Sequence, residues 1–304
     1  MTEAAYLPHP PSRRRLGPNG PAIGPVAWGM WRFAGATLDE ATRLVEAALD
    51  AGVTLFDTAD IYGVDGPGWG SAEALLGEVF AASPGLRDRL VLATKGGIVM
   101  GVPYDSSPAY LASAIDASLQ RLGVERVDLW QVHRPDVLAH PQELARTLGN
   151  AVRSGKVGAV GVSNFTPGQI EALVHFLDVP LASSQPEFSA LHLDPLEDGQ
   201  FDQAMRHGLA VLAWSPLGGG RIARPETQRE IALAAALDTV AEAHGVSRAV
   251  AAMSWIAAHP AHPIPIGGSQ NPARIAELAD VAKVRWTRTQ WYAVLTAARG
   301  APLP

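Results

Sequence analysis

Cysteine is absent from this 304-residue chain, which excludes disulfides, thiolate metal sites and thiol nucleophiles together. Nothing therefore argues for an oxidising compartment. No apolar run approaches the ~20 residues of a membrane helix. A basic excess is missing too. Lys and Arg number 24 against 30 Asp and Glu, for a net charge of −6 with the signs interspersed, which excludes a nucleic-acid footprint. An acidic shell repels phosphates, so an anionic cofactor has to be held by a local site. Also missing is a Gly-x-Gly-x-x-Gly turn after an early strand, the mark of a doubly wound dinucleotide fold. Gly218-Gly219-Gly220 is a glycine run, but it follows the seventh strand-like segment.

Ser12-Arg13-Arg14-Arg15-Leu16 resembles a twin-arginine signal without the apolar region that should follow; a turn, Gly17-Pro18-Asn19-Gly20-Pro21, comes instead. We expect a cytoplasmic protein with a flexible tail over residues 1–13. His259-Pro260-Ala261-His262-Pro263 pairs two imidazoles, but its prolines bar the helical geometry that would aim both at one ion, and no metal site is expected.

What is present is a large apolar fraction, 47%, arranged with a repeat. Strand-like runs at residues 26–28, 53–57, 90–94, 126–133, 157–163, 181–185, 209–213 and 264–266 alternate with amphipathic helical stretches. Thr37/Glu40 and Thr166/Gln169 have capping-box spacing, and Ser107-Pro108 puts proline at a first helical position. Eight strands each followed by a helix, with no linker dividing them, predict one (β/α)₈ barrel over residues 14–304.

Barrel enzymes keep their chemistry at the C-terminal ends of the strands. Asp57 ends the second strand with Tyr62 just beyond it; Lys95 ends the third, His133 the fourth, Ser163-Asn164 the fifth and Gln185 the sixth. Each alone has an ordinary reading as a cap, a solvated charge or a packed imidazole. Together they form a proton-transfer device. A phenol titrates near 10, too high for acid–base work near neutrality, and a neighbouring ammonium lowers it. A carboxylate keeps that ammonium charged, and a neutral imidazole orients a substrate oxygen.

The motifs Phe56-Asp57-Thr58-Ala59-Asp60-Ile61-Tyr62-Gly63, Thr94-Lys95-Gly96-Gly97, Gly161-Val162-Ser163-Asn164-Phe165 and Ala213-Trp214-Ser215-Pro216-Leu217-Gly218 resemble the aldo-keto reductase family over nearly the whole chain. His133-Arg134-Pro135-Asp136, Gly218-Gly219-Gly220-Arg221 and Thr289-Gln290-Trp291-Tyr292 resemble a bacterial oxidoreductase subgroup within it. The resemblance implies a catalytic tetrad of Asp57, Tyr62, Lys95 and His133. It also implies a nicotinamide nucleotide lying across the barrel mouth. Ser163, Asn164 and Gln185 match carboxamide-binding positions, and Trp214 matches the aromatic that stacks on the nicotinamide. Ser215, Leu217 and Gly219 match the pyrophosphate loop. The same likeness places Met30, Trp31, Pro216, Gly218, Arg221 and Gly267 among the cofactor contacts. Family members carry a Lys-Ser pair and then an arginine for the 2′-phosphate; here Gly268 replaces the lysine, while Ser269 and Arg274 keep their spacing and Glu277 falls at the adenine. NADPH is expected, with NADH as the alternative.

Trp28, Trp31, Trp69, Arg134 and Pro135, with Met30 beside them, are the expected substrate pocket, implying an apolar or aromatic carbonyl compound. Residues 287–298 read as helix and the chain ends soon after, so the pocket should be open. A monomer acting on a small-molecule carbonyl substrate, without nucleic-acid or membrane partners, is expected. Two rival functions stand beside a reductase. One is a nucleotide-binding regulatory subunit, like the potassium-channel beta subunits that share much of the tetrad; the other is a dehydrogenase working mainly on alcohols.

Overall fold

A computed structural model describes residues 6–303. A hairpin comes first, β1 (Arg14–Arg15) and β2 (Ala22–Ile23). Eight parallel strands follow and close on themselves: β3 (Ala27–Gly29), β4 (Leu55–Asp57), β5 (Val91–Gly96), β6 (Val127–Val132), β7 (Val157–Ser163), β8 (Leu181–Gln185), β9 (Ala210–Ala213) and β10 (Ile264–Gly267). Each strand pairs with its sequence neighbours, and β10 pairs with both β9 and β3 to complete the ring. This is the (β/α)₈ barrel the repeat predicts.

Its helices are α1 (Leu38–Asp50), α2 (Ser71–Ala82), α3 (Pro108–Leu122), α4 (Pro141–Arg153), α5 (Pro167–Phe176), α6 (Gln200–His207), α7 (Gln228–His244), α8 (Arg248–Ala257), α9 (Pro272–Ala276) and α10 (Arg288–Arg299). Reciprocal capping boxes open four of them, Thr37/Glu40, Thr166/Gln169, Thr227/Glu230 and Thr287/Gln290. Each satisfies helix-end N–H groups that would otherwise lack partners. The chain enters α6 only at Gln200. Pro195 lies in a separate 3₁₀ turn, and Gly199, at φ +86°, turns the chain before α6.

The β1–β2 hairpin floors the barrel, sending Leu16 and Ile23 into its interior cluster. Gly17 makes this fit possible: at φ +68°, a Cβ there would lie 2.5 Å from the Ala182 Cα. Within residues 1–13, where a flexible tail is expected, Tyr6, Leu7 and His9 are instead tied to the body of the fold. Tyr6 bridges Thr287, the Leu7 N–H donates to the Trp286 carbonyl at 2.7 Å, and the His9 ring hydrogen-bonds the Ala282 carbonyl at 2.6 Å. Residues 1–5 lie outside the described residues.

Side chains on a strand alternate between two faces. Ala27, Leu55, Val91, Ala93, Leu129, Leu212, Ile264 and Ile266 point inward and fill the barrel. Trp28, Phe56, Leu92, Trp130, Val160 and Val162 point outward, into the larger layer between strands and helices. That alternation decides which polar residues meet at the mouth. Among the described residues, no helix is long and apolar enough to cross a membrane.

Candidate active site

Carried one step further along each strand, the inward series Leu55, Ala93 and Leu129 becomes Asp57, Lys95 and Gln131, with His133 beyond. Register places Lys95 beside Gln131, Gly161 beside Ser183, and Ser163 beside Gln185. The expected polar set therefore converges on one end of the barrel.

At its centre is a buried ion pair. Lys95 Nζ donates to Asp57 Oδ2 and to the Thr58 carbonyl, both at 2.7 Å, and the two charged side chains are 1% and 3% exposed. Asp57 Oδ1 accepts from Gln185 Nε2 at 2.9 Å and from Gln131 Nε2 at 3.4 Å. Gln131 is fixed in turn by the Ser183 hydroxyl, which donates to its Oε1 at 3.1 Å. Burial pulls the Lys95 ammonium down, but Asp57 and Tyr62 more than offset it, and the group sits above its ordinary value. Gln131 and Ser183 were not singled out from the sequence. Their signal is their register: inward polar residues in otherwise apolar strands.

Tyr62 stands in the turn after β4, where its carbonyl accepts from the Ala72 N–H at the start of α2. Its ring centroid lies 4.9 Å from Lys95 Nζ, with the Trp31 ring edge-on at 5.0 Å and the His133 ring at 6.0 Å. Burial pushes the phenol up; Lys95 and Arg134 pull it down without winning, so it stays above its ordinary value. The direction differs from the expected lowering because desolvation outweighs the ammonium.

His133 is held by its backbone N–H, which donates to the Gly96 carbonyl at 2.8 Å. Burial first, then Lys95 and Arg134, hold its ring well below the usual imidazole range, so it is neutral. Its Nδ1 is buried without a partner, leaving Nε2 to face the mouth. The Arg134 guanidinium carbon lies 5.7 Å from the Trp214 ring centroid, and Arg134 makes no salt bridge among the described residues.

Beside this cluster runs a chain of amides and hydroxyls. Asn164, at φ +62°, donates from Nδ2 to the His133 carbonyl at 3.1 Å and to Ser163 Oγ at 2.8 Å. Its Oδ1 accepts from Trp214 Nε1 at 2.9 Å, which locks the indole in place, while Ser163 Oγ donates to the Gln185 carbonyl at 2.9 Å. Next comes the Ser215–Arg221 turn. Ser215, Gly218, Gly219 and Gly220 all have positive φ. Its N–H groups are used internally, from Gly218 to the Ser215 carbonyl at 2.8 Å and from Gly219 to Ser215 Oγ at 3.0 Å. Pro216 is buried and Leu217 half-buried in the same turn. Arg221 pairs with Glu230 at 3.3 Å rather than standing free.

After β10, Gly267 packs against Leu278, whereas Gly268 is exposed with open space where a Cβ would stand. Ser269 Oγ accepts from the Asn271 N–H at 3.2 Å, Arg274 is exposed, and Glu277 accepts from the Ser247 hydroxyl at 2.5 Å. Both amide atoms of Gln270 are buried without partners, a feature the sequence did not signal.

Two expected pocket residues are elsewhere. Trp28 is fully buried, outward on β3 among Phe33 and Phe56, with Nε1 donating to the Ser269 carbonyl at 2.9 Å. Met30 is also fully buried in the strand–helix layer, so its side chain is core rather than a cofactor contact. Trp31 remains half-exposed against Tyr62, and Trp69, Arg134 and Pro135 are partly buried in loops that leave the same strand ends. Among the described residues, no group of acidic or imidazole side chains is placed to hold a metal.

A closed parallel barrel with a buried Asp–Lys pair, a phenol and a neutral imidazole at its mouth defines an oxidoreductase scaffold. The pattern of the Aldo/keto reductase family matches residues 25–297, and the chain belongs to that family. It is 62% identical to a 6-dehydroglucose reductase of Novosphingobium aromaticivorans, over 98% of this chain and 99% of the relative. A 6-dehydroglucose reductase of Agrobacterium fabrum is 35% identical over 90% of this chain and 94% of its own length. Among solved structures, a glycerol dehydrogenase from Gluconobacter oxydans superposes with a TM-score of 0.83 at 28% identity, covering 96% of this chain and 97% of that one. The protein is an oxidoreductase enzyme, and the regulatory-subunit alternative falls away.

Proposed function

We propose that the enzyme reduces the carbonyl group of a sugar aldehyde of the 6-dehydroglucose type, with NADPH as reductant and Tyr62 as proton donor. The observation that carries this reading is the convergence of Tyr62, Lys95, Asp57 and His133 at one strand end. The substrate class comes from the two relatives that bear that name. It replaces the apolar or aromatic compound expected from the tryptophans. Trp31 offers a ring face to sugar C–H groups, and Arg134, without an ion-pair partner, offers donors to hydroxyls.

The residues fit a nicotinamide nucleotide. Trp214 is held in place by Asn164, the exposed glycines at 219 and 220 have nothing within 4 Å of where a Cβ would stand, and the buried Gln270 amide has no partner among the described residues. Trp214, Ser163, Asn164 and Gln185 would hold the nicotinamide end, and Ser269 and Arg274 the phosphate end. When bound, the cofactor supplies a hydride to the carbonyl carbon. Tyr62 delivers the proton to the carbonyl oxygen, and the Lys95 ammonium stabilises the phenolate left behind. His133, neutral, donates a hydrogen bond that orients the oxygen. Tyr62 recovers its proton from solvent.

The test is turnover of NADPH with 6-dehydroglucose and with an aromatic aldehyde, in the wild type and Tyr62→Phe. The variant should lose about 10²–10⁴-fold in kcat and keep cofactor affinity. Retention of most of kcat in the variant would remove Tyr62 from the mechanism. An aromatic aldehyde turned over better than the sugar would overturn the substrate class.

A further inference from the structure

Behind the Lys95–Asp57 pair lies a second buried group of charges that the mechanism above leaves unused. Asp60 is 2% exposed and Glu73 is fully buried. They come from the turn after β4 and from α2. Glu73 is saturated: Arg121 donates to its Oε2 from Nε at 2.8 Å and from the guanidinium's far nitrogen at 2.6 Å, and the Thr94 hydroxyl donates to its Oε1. Asp60 has no cation or hydroxyl bonded to it, only the neighbouring Ile61 N–H, and its Oδ1 is buried with no hydrogen-bond partner. Its Oδ2 lies against the bare backbone of Gly96, where a Cβ would stand 2.9 Å away and only 2.8 Å from the Trp130 ring. Meanwhile the Asp60 N–H donates to the Lys95 carbonyl at 2.9 Å, tying its backbone to the residue that carries the ammonium.

Two carboxyls in a low-dielectric space with one guanidinium cannot both be ionised without a large cost. Arg121 is committed to Glu73, so Asp60 is the member that keeps a proton. We propose that Asp60 is a positioning residue whose protonated carboxyl, walled in beside Glu73, leaves Asp57 as the one carboxylate acting on Lys95 and so preserves the ammonium's pull on Tyr62.

The charges facing Asp60 are Glu73 from α2, Arg121 from α3 and Lys95 from β5, with the Tyr110 phenol also on α3. Burial first, then Glu73, pushes the Asp60 carboxyl up to about 8, against the weaker pull of Arg121, the Ile61 N–H and Lys95. Tyr110 is itself pushed up to about 12, by burial and then by Asp60 and Asp105, and stays neutral over the same range. Ionising Asp60 puts a second negative charge behind Lys95. That weakens the ammonium's effect on the phenol and makes the Tyr62 proton harder to give.

The consequence for Tyr62 rests on the reductase reading; the proton on Asp60 does not. A folded-state carboxyl raised from near 4 to about 8 binds its proton more tightly in the folded chain. Its contribution to stability is complete below about 4 and is lost as pH rises through the folded value, the unfolding constant rising about tenfold per pH unit between. Asp60→Asn, which imitates the protonated acid, should therefore gain stability relative to the wild type steadily over that window and hold the gain above it. Glu73→Gln should move the end of that window to lower pH, because Arg121 is then released to Asp60.

In turnover, the wild-type kcat for reduction should fall above about pH 8, in kcat and not in KM, and Asp60→Asn should shift that fall upward by at least one pH unit. Urea denaturation and kcat measured from pH 5 to 9.5 on the three proteins make the test. Parallel stability curves for the wild type and Asp60→Asn would overturn the proposal, and so would a kcat fall that stays in place in the variant. A wild type that reduces no aldehyde would instead sink the reductase reading, and the stability curves would then decide on Asp60 by themselves.

Discussion

Replacing Asp57 with asparagine keeps its shape and removes its charge, and the structure states what that does. One carboxylate oxygen takes the Lys95 ammonium at 2.7 Å; the other takes the Gln185 and Gln131 amide nitrogens at 2.9 and 3.4 Å. Every neighbour is a donor. However the new amide is turned, its NH₂ meets either the ammonium or the glutamine amides, and one donor-to-donor contact remains. The ammonium is also left without a counter-charge in a site whose lysine side chain is 1% exposed. Breaking a buried pair from one side costs about 3–5 kcal/mol. For a domain of this size that is a drop on the order of 10 °C in melting temperature. Differential scanning calorimetry with urea denaturation reads the stability loss, and NADPH consumption reads a parallel fall in kcat. A variant within ~1 kcal/mol of the wild type would show that water reaches Lys95 and that the pair is not the sealed unit described here.

Three further outcomes follow from the same geometry. His133→Gln keeps a hydrogen-bond donor of similar reach but should lower kcat at least tenfold, since the flexible amide is not held by the ring packing that fixes His133. The wild type should also lose stability as pH falls below about 6.5, where the unfolded imidazole gains a proton that the buried ring refuses, and the variant should lack that part of the acid dependence. Arg274→Ala should weaken NADPH by roughly tenfold to a hundredfold, leaving NADH nearly unchanged; Gly268→Lys, placed where a Cβ meets nothing within 4 Å, should widen the NADPH preference. Fluorescence titration through Trp214 measures both, and equal losses of the two cofactors in Arg274→Ala would place the phosphate elsewhere.

The barrel was legible because its repeat is complete: eight apolar runs each followed by a helical stretch, several of whose starts are written in Thr-x-x-Glu, Thr-x-x-Gln or Ser-Pro. The convergence of Asp57, Tyr62, Lys95 and His133 at one strand end was legible for a related reason. Asp57 and Lys95 are the polar residues that continue an inward apolar series at a strand's C-terminal end. The same rule, applied to single residues, would have placed Trp28. It alternates with Ala27, which is inward, so it belongs to the helix layer rather than to the pocket where it was expected. Gln131 and Ser183 escaped notice because a lone polar residue within a strand has no spacing signature, and only the closed ring shows that they face Asp57. Asp60 was visible solely as part of a motif. Its isolation depends on Gly96, Glu73 and Arg121, which approach it from three different elements.

The direction of reaction also has a physical handle in this site. In the mechanism proposed above, reduction requires Tyr62 as the phenol, and alcohol oxidation requires it as the phenolate. Burial raises the phenol above its ordinary value despite Lys95, so at neutral pH the donor form is nearly complete and the acceptor form is scarce. Hydride transfer in either direction uses the same groups, and a relative in fold is named for alcohol oxidation. On that mechanism, the balance between phenol and phenolate, set by burial against the ammonium, would favour reduction near neutrality. Oxidation of the corresponding sugar alcohol with NADP⁺ should rise by about tenfold per pH unit from pH 7 to about pH 8, following the phenolate fraction, and less steeply above that, where Asp60 ionises. Initial rates at saturating alcohol, compared with Tyr62→Phe at each pH, measure it. An oxidation rate that is flat between pH 7 and 9 would mean that the proton is taken by another group, and the phenol would lose its place in both directions.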